Sequence, residues 1–123
     1  LGTIIGLDAA IASASSQEGP QLSPDKAIDG DFKSRWSSVF TDDAWFAVDL
    51  GAMTRIDAVW LFWENAYAES YELQVADSLS GNWITIVEIT DSNGDVDVLG
   101  GLHAVTQYMR LLCSKRARDS SYG

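Results

Sequence analysis

The sequence predicts an all-β fold, a single-domain antiparallel β-sandwich that spans residues 1–123. Three observations indicate this class. Apolar runs of about four to eight residues alternate with turn-forming clusters, no stretch repeats apolar residues with the helical period, and several runs alternate apolar and polar positions. Because 46% of the 123 residues are hydrophobic, the chain can bury one core without a disulfide.

The first clear strand covers residues 45–50, where Phe46, Val48 and Leu50 share one face of the pleat. Gly51 is expected to end this strand. The long polar segment 17–43, which precedes it, contains both prolines, and polar loops on a rigid sheet are where binding usually resides.

Residues 56–63 are apolar on both faces except at Asp57, which predicts a central strand covered on both sides. Residues 71–75 alternate strictly, and residues 83–89 follow after a Ser-Gly-Asn turn signal, so these two runs predict a hairpin.

The last clear strand covers residues 108–113 and places Met109, Leu111 and Cys113 on one face, with Arg110 on the other. Cys113 is therefore expected in the core. Before it, the acidic segment 91–97 lacks the spacing of a calcium-binding EF-hand loop, and its Asn-Gly pair predicts a hairpin turn instead.

The charge and the reactive side chains restrict the function. A net charge of −10, from 18 acidic and 8 basic residues, disfavours nucleic acid and anionic membrane partners. Cys113 is the only cysteine and His103 the only histidine, so the sequence lacks a nucleophile with a base and an orienting group. We therefore do not expect an enzyme.

Eight short motifs follow one another in an order known from one domain family. They are Lys-Ala-Ile-Asp-Gly-Asp at 26–31, Ser-Arg-Trp-Ser-Ser at 34–38, Trp-Phe-Ala-Val-Asp-Leu-Gly at 45–51, Trp-Glu-Asn-Ala-Tyr at 63–67, Tyr-Glu-Leu-Gln-Val at 71–75, Gly-Asn-Trp at 81–83, Tyr-Met-Arg at 108–110 and Lys-Arg-Ala-Arg-Asp-Ser-Ser-Tyr-Gly at 115–123. By these motifs the chain resembles the F5/8 type C, or discoidin-like, domain, a jelly-roll β-sandwich. Within that group it is most similar to family 32 carbohydrate-binding modules of bacterial polysaccharide hydrolases.

The resemblance implies a secreted bacterial module, monomeric and non-catalytic, that targets a linked glycoside hydrolase to polysaccharide. Chitosan or glucosamine oligomers, or a β-glucan, are the expected ligands. The alternative is a cell-surface adhesion module that binds protein, phospholipid or galactosyl glycans through the same loops. Family members continue after Tyr-Gly into a strand that contains a Glu, so we expect a chain ending at Gly123 to lack its last strand.

A sugar ring has a flat C–H face and a rim of hydroxyls, so a site needs an aromatic ring and charged or amide groups. The resemblance implies that loops at one end of the sandwich supply these groups, from Glu18, Arg35, Phe40, Glu64, Asn65 and Tyr122. Glu18 would meet the ammonium of an amino sugar, unless it is only solvated surface.

Several of these residues have structural alternatives. Glu64 would bind a pair of hydroxyls, or instead be a solvated strand end. Arg35 would bind vicinal hydroxyls with Glu64, and an ion pair with Asp29, Asp31 or Glu64 does not exclude that role. Phe40 would stack on the sugar, or instead pack within its own loop.

The resemblance also implies a structural calcium ion in the segment 26–34, where carboxylates, a hydroxyl and carbonyls surround a glycine turn. Its ligands would come from Lys26, Asp29, Asp31 and Ser34. The calcium would hold the loop that carries Arg35.

The tryptophans are expected to pack mainly in the core, because an indole buries a large apolar area. Trp36, Trp45, Trp60 and Trp83 match core positions of the family, whereas the role of Trp63 stays open.

Overall fold

The computed structural model describes residues 11–28, 35–38, 43–63, 67–78 and 80–116, together with the backbone of Thr3–Ile4. The strands are β1 (Thr3–Ile4), β2 (Ile11–Ala14), β3 (Ala44–Ile56), β4 (Val59–Phe62), β5 (Ala68–Ala76), β6 (Ile84–Ile89), β7 (Val96–Leu99) and β8 (Ala104–Arg116). Two 3-10 helical turns, Pro20–Leu22 and Pro24–Ala27, lie between β2 and β3. Nowhere in the described ranges is there a helix long and apolar enough to cross a bilayer.

The strands form two antiparallel sheets. One sheet has five strands in the order β2-β3-β8-β5-β6, and the other has three in the order β1-β4-β7. The predicted antiparallel β-sandwich is therefore confirmed, and so is the hairpin, since β5 pairs directly with β6.

The core consists of apolar side chains that both sheets contribute. Phe46 and Leu73 of the large sheet are 1% and 2% exposed, and Leu61 of the small sheet is completely buried. Met109, Leu111 and Cys113 are all buried along β8, as the alternation predicted. Full burial of one such side chain contributes about 1.5–3 kcal/mol, so this layer holds the two sheets together.

The strand predicted at residues 45–50 does not end at Gly51, so the predicted end is wrong. Strand β3 continues to Ile56, and its register with β8 shifts between Asp49 and Thr54. Gly51 has a φ of 85° and donates its N–H to the Asp49 carboxylate at 2.8 Å. The glycine permits a bulge because it adopts a positive φ without steric cost, and the strand then resumes.

The prediction that residues 56–63 form a strand covered on both faces is also wrong. Strand β4 is central in its sheet, but only Val59 and Leu61 face the core. Trp60 lies on the opposite face and is 49% exposed, so it is not a core residue.

The other tryptophans differ in how they pack. Trp36 is a core residue as predicted, 4% exposed, with its ring centroid 5.4 Å from that of Phe46. Trp45 and Trp83 are only half-buried. The guanidinium of Arg110 lies 4.4 Å from the ring centroid of Trp83, in a cation–π contact on the outer face of the sheet.

The Asn-Gly pair at 93–94 does not form the predicted hairpin turn. The segment connects β6 of the five-stranded sheet to β7 of the three-stranded sheet, so its flanking strands do not pair. Gly94 and Asp95 have φ values of 78° and 59°, which turn the chain from one sheet to the other.

Candidate functional site

One end of the sandwich is defined by the strand ends that flank the segments carrying the predicted site residues. Antiparallel register places the end of β2 beside the start of β3, and the end of β8 beside the starts of β3 and β5. Tyr71, near the start of β5, is opposite Ile89, which ends β6. We call this the loop end, and the strand ends that define it are Ala14, Ala44, Ala68, Ile89 and Arg116.

The three-stranded sheet has its corresponding end at the same place. Phe62, the last residue of β4, is opposite Val96, the first residue of β7. The chain between Phe62 and Ala68 joins β4 to the start of β5, so Trp63 and Tyr67 both lie at the loop end.

The segments that carry Glu18 and Arg35 are hydrogen-bonded to each other at the loop end. The Glu18 N–H donates to the Ser37 carbonyl at 2.7 Å, and the Ser37 N–H donates to the Leu22 carbonyl at 3.2 Å. Trp36 anchors the pair, because its indole N–H donates to the Ser16 carbonyl at 2.9 Å while its ring packs in the core. The backbone of Glu18 is therefore bonded to Ser37, which is two residues after Arg35 in the chain.

The side chains of these two predicted residues differ in exposure. Glu18 is exposed, so its carboxylate is accessible to a ligand, whereas Arg35 is half-buried and makes contacts with the protein. The remaining predicted ligand residues, Phe40, Glu64, Asn65 and Tyr122, lie outside the described residues.

Of the predicted calcium ligands, Lys26 is described, and it lies in the second 3-10 turn, just before the last residue of that turn, Ala27. Its ammonium is 3.7 Å from the Asp25 carboxylate, whose pKa is lowered chiefly by the hydrogen bond from the Ser23 hydroxyl. The other predicted ligands, Asp29, Asp31 and Ser34, lie outside the described residues.

A cluster of hydrogen-bonded side chains, which the sequence analysis did not identify, lies beside Trp63 and Tyr67. The Oδ2 atom of Asp97 accepts hydrogen bonds from the Trp63 indole N–H at 2.9 Å, the Tyr71 hydroxyl at 2.7 Å and the Ser92 hydroxyl at 2.8 Å. These four residues are the Asp97 cluster. It joins the two sheets at the loop end, because Asp97 lies on β7 and Tyr71 on β5.

Backbone contacts reinforce the Asp97 cluster. The Trp63 N–H donates to the Asp95 carbonyl at 2.7 Å, and the Gly94 N–H donates to the Ser92 hydroxyl at 3.2 Å. The ring of Tyr67 lies against Gly94, where an added Cβ would be 3.0 Å from a ring carbon. A side chain at Gly94 would therefore displace Tyr67.

The sequence carries no signal for Asp97, because the alternation of Val96, Asp97 and Val98 would place the acid outward. In the structure the two valines are exposed, and Asp97 is opposite the fully buried Leu61 at an inward position. A carboxylate at such a position needs donors, and the structure supplies them. Burial, followed by the hydrogen bond to Asp97, also raises the pKa of Tyr71 well above its ordinary value.

Comparison with known proteins relates this architecture to binding domains. Residues 26–111 match the model of the F5/8 type C family described as NedA-like, galactose-binding domains. No curated protein sequence matches the chain.

Among solved structures, chitosan-binding module 1 of a chitosanase/glucanase from Paenibacillus sp. IK-5 is 33% identical, with a TM-score of 0.86 over 91% of this chain and 86% of that one. Module 2 of the same enzyme, solved in complex with chitotriose, is 32% identical, with a TM-score of 0.85 over 92% and 88%. The family 32 carbohydrate-binding module from C. perfringens NanJ, solved with galactose, shares the fold at 18% identity, with a TM-score of 0.80 over 94% and 89%. The chain therefore belongs to the F5/8 type C family of NedA-like, galactose-binding domains.

Proposed function

We propose that this protein is a non-catalytic carbohydrate-binding module whose ligand is a glucosamine oligomer or chitosan. The observation that carries the proposal is the similarity to two modules that are 32–33% identical over about nine-tenths of the chain and are named as chitosan-binding. Those modules come from a chitosanase/glucanase. By analogy, the module would be secreted and would hold a linked glycoside hydrolase on its polysaccharide.

The charge of the protein supports an amino sugar as the ligand. Glucosamine residues carry an ammonium group when protonated, and the chain has 18 acidic against 8 basic residues. A negative protein attracts a cationic polymer at long range. At short range, the exposed Glu18 carboxylate would pair with an ammonium, a contact that contributes about 0.2–1 kcal/mol at an exposed position.

Arg35 supports the proposal because its segment is hydrogen-bonded to the segment that carries Glu18. A guanidinium presents a planar fork of donors, which suits neighbouring hydroxyls on a sugar ring. In this proposal Glu64 accepts from the same hydroxyls, Phe40 stacks on the ring, and Asn65 and Tyr122 flank the ligand. A few charge-assisted hydrogen bonds and one ring contact, less the ordering cost, give a Kd of about micromolar to millimolar.

The surroundings of two potentially reactive side chains, Cys113 and His103, support a binding role rather than catalysis. Cys113 is buried, and burial raises the pKa of its thiol to about 11, so it is a poor nucleophile. His103 lies between β7 and β8, away from the loop end, in an exposed contact with Arg55 and Asp57.

Isothermal titration with chitotriose, with a neutral β-glucan trisaccharide and with galactose tests the proposal. We expect chitotriose to bind most tightly and its affinity to fall with added salt, because an ammonium–carboxylate pair is screened. Glu18→Gln should weaken chitotriose binding up to about five-fold, as expected for an exposed pair, and leave binding of the neutral sugar unchanged. Arg35→Ala should weaken binding of both by about ten-fold or more.

Asp77→Asn is the matched control for Glu18→Gln. It also removes one exposed carboxylate, but Asp77 follows the end of β5 that is remote from the loop end. The proposal is wrong if none of the three sugars binds, or if Arg35→Ala binds them as tightly as the wild type. If Asp77→Asn reduces chitotriose affinity as much as Glu18→Gln, total charge rather than Glu18 determines the preference.

A further inference from the structure

We infer that Asp97 is a positioning residue for the carbohydrate site, which it serves by holding Trp63 and Tyr67 on either side of residues 64–66. Glu64 and Asn65, two of the proposed ligand residues, lie in this short segment. The inference therefore rests on the proposed function for its biological meaning, while the contacts of Asp97 are independent of it.

A single carboxylate oxygen unites three separate parts of the chain. Oδ2 of Asp97 accepts from Trp63 at 2.9 Å, from Tyr71 at 2.7 Å and from Ser92 at 2.8 Å. Hydrogen bonds to a charged acceptor are shorter and stronger than neutral ones. The indole of Trp63 is therefore fixed in position as well as in orientation, with its ring 5.4 Å from that of Tyr71.

Both flanks of residues 64–66 are tied to the chain just before Asp97. On one side, the Trp63 N–H donates to the Asp95 carbonyl at 2.7 Å. On the other side, the Tyr67 ring packs against Gly94, whose N–H is held by the Ser92 hydroxyl. Loss of the Asp97 carboxylate would release Ser92 and Trp63 together, and so would loosen both flanks.

Asp97 faces inward beside Leu61, and three donors converge on its carboxylate. An apolar side chain at this position would leave these donors without an acceptor, so the carboxylate also stabilises the fold. The same carboxylate accepts a hydrogen bond from Trp63, the residue that immediately precedes Glu64.

Asp97→Asn tests the inference, because the amide keeps the size of the side chain but removes its charge. We expect the Kd for chitotriose to rise about ten-fold, equivalent to about 1.4 kcal/mol, at a temperature where the variant is fully folded. In the unliganded protein, hydrogen exchange of the Trp63 amide should accelerate beyond any increase caused by global destabilisation. Ser92→Ala, which removes one donor and keeps the carboxylate, should give a smaller change in the same direction.

Met109→Ala is the control for a purely structural effect. Met109 is a buried core residue of β8, and its truncation lowers the free energy of unfolding because packing is lost and a cavity is left. We expect this variant to bind chitotriose within about two-fold of the wild type when folded, since its lost packing lies outside the Asp97 cluster. The Trp63 amide should exchange only as fast as the global loss of stability requires.

The inference is overturned if Asp97→Asn binds chitotriose as tightly as the wild type while losing stability, because Asp97 is then a structural residue only. If the wild type binds no sugar, the proposed function fails, but the exchange experiment still decides the positioning role. In that case unchanged exchange at Trp63 in Asp97→Asn overturns the inference, and locally faster exchange supports it.

Discussion

Tyr71→Phe tests the energetics of the loop end with the removal of a single atom. Tyr71 is 0% exposed, and its hydroxyl donates to Asp97 Oδ2 at 2.7 Å. The substitution keeps the ring and its contact with Trp63. A hydrogen bond to a charged group contributes about 1.5–3 kcal/mol, and because Trp63 and Ser92 still serve Asp97, we expect a loss near the lower value, about 1.5 kcal/mol. For a domain of this size that is a fall of about 5 °C in Tm.

The same substitution should change how stability depends on pH. Burial, together with the hydrogen bond to Asp97, raises the pKa of Tyr71 above its ordinary value of 10.0. The neutral phenol thus stabilises the folded state fully below pH 10, and the contribution is lost as the pH rises further, because the unfolded chain then ionises while the folded one does not. The wild type should lose up to about 1.4 kcal/mol per pH unit from this group, and the variant should not.

Urea unfolding followed by circular dichroism, at neutral pH and in steps above pH 10, measures both effects. Tyr108→Phe is the matched control, because Tyr108 is only half-buried and its hydroxyl accepts one long hydrogen bond, 3.3 Å, from Gln107. We expect the control to change stability by less than about 0.5 kcal/mol. Equal stability of Tyr71→Phe and the wild type at neutral pH, with parallel alkaline slopes, would refute the reasoning about the Asp97 cluster.

Two further predictions concern Cys113 and the proposed calcium ion. Burial raises the pKa of the Cys113 thiol to about 11, so a chromogenic disulfide reagent should modify it at neutral pH only as fast as the protein unfolds. Rapid labelling of the native protein would contradict this burial. Calcium, if bound near Asp29, should raise the free energy of unfolding by about 2.7 kcal/mol at a hundred times its Kd, and a chelator should reverse the effect. Asp29→Asn should abolish this response and the exposed control Asp91→Asn should retain it, whereas an unchanged Tm on adding calcium would exclude the ion.

Strands β3, β4, β5, β6 and β8 were located from sequence because side-chain patterns are local, whereas β1, β2 and β7 were not predicted. The faces of β8 and the β5–β6 hairpin follow directly from period-2 patterns and a turn signal. Apolar composition was less informative, since Trp60 is as hydrophobic as its neighbours and yet is half exposed. Whether the second face of a strand is covered depends on what the rest of the chain places there.

The sequence motifs indicated residues of the candidate site, but they did not indicate the hydrogen bonds that hold the segments of the site in place. Glu18 and Arg35 were named from the resemblance, and the structure shows their segments joined through the Glu18–Ser37 hydrogen bond. Asp97 was passed over, because the acidic segment around it predicted a turn and because its donors are distant in sequence, 34 residues away in the case of Trp63.

The sequence by itself determined that this protein is an acidic all-β domain, where strands β3, β4, β5, β6 and β8 lie, and which family motifs it carries. Only the tertiary structure decided which strand ends meet at the loop end and that one oxygen of Asp97 binds three donors. The reason is physical: alternation depends on neighbouring residues, whereas sheet order and register depend on packing between distant ones, and hydrogen-bond geometry exists only after that packing is complete.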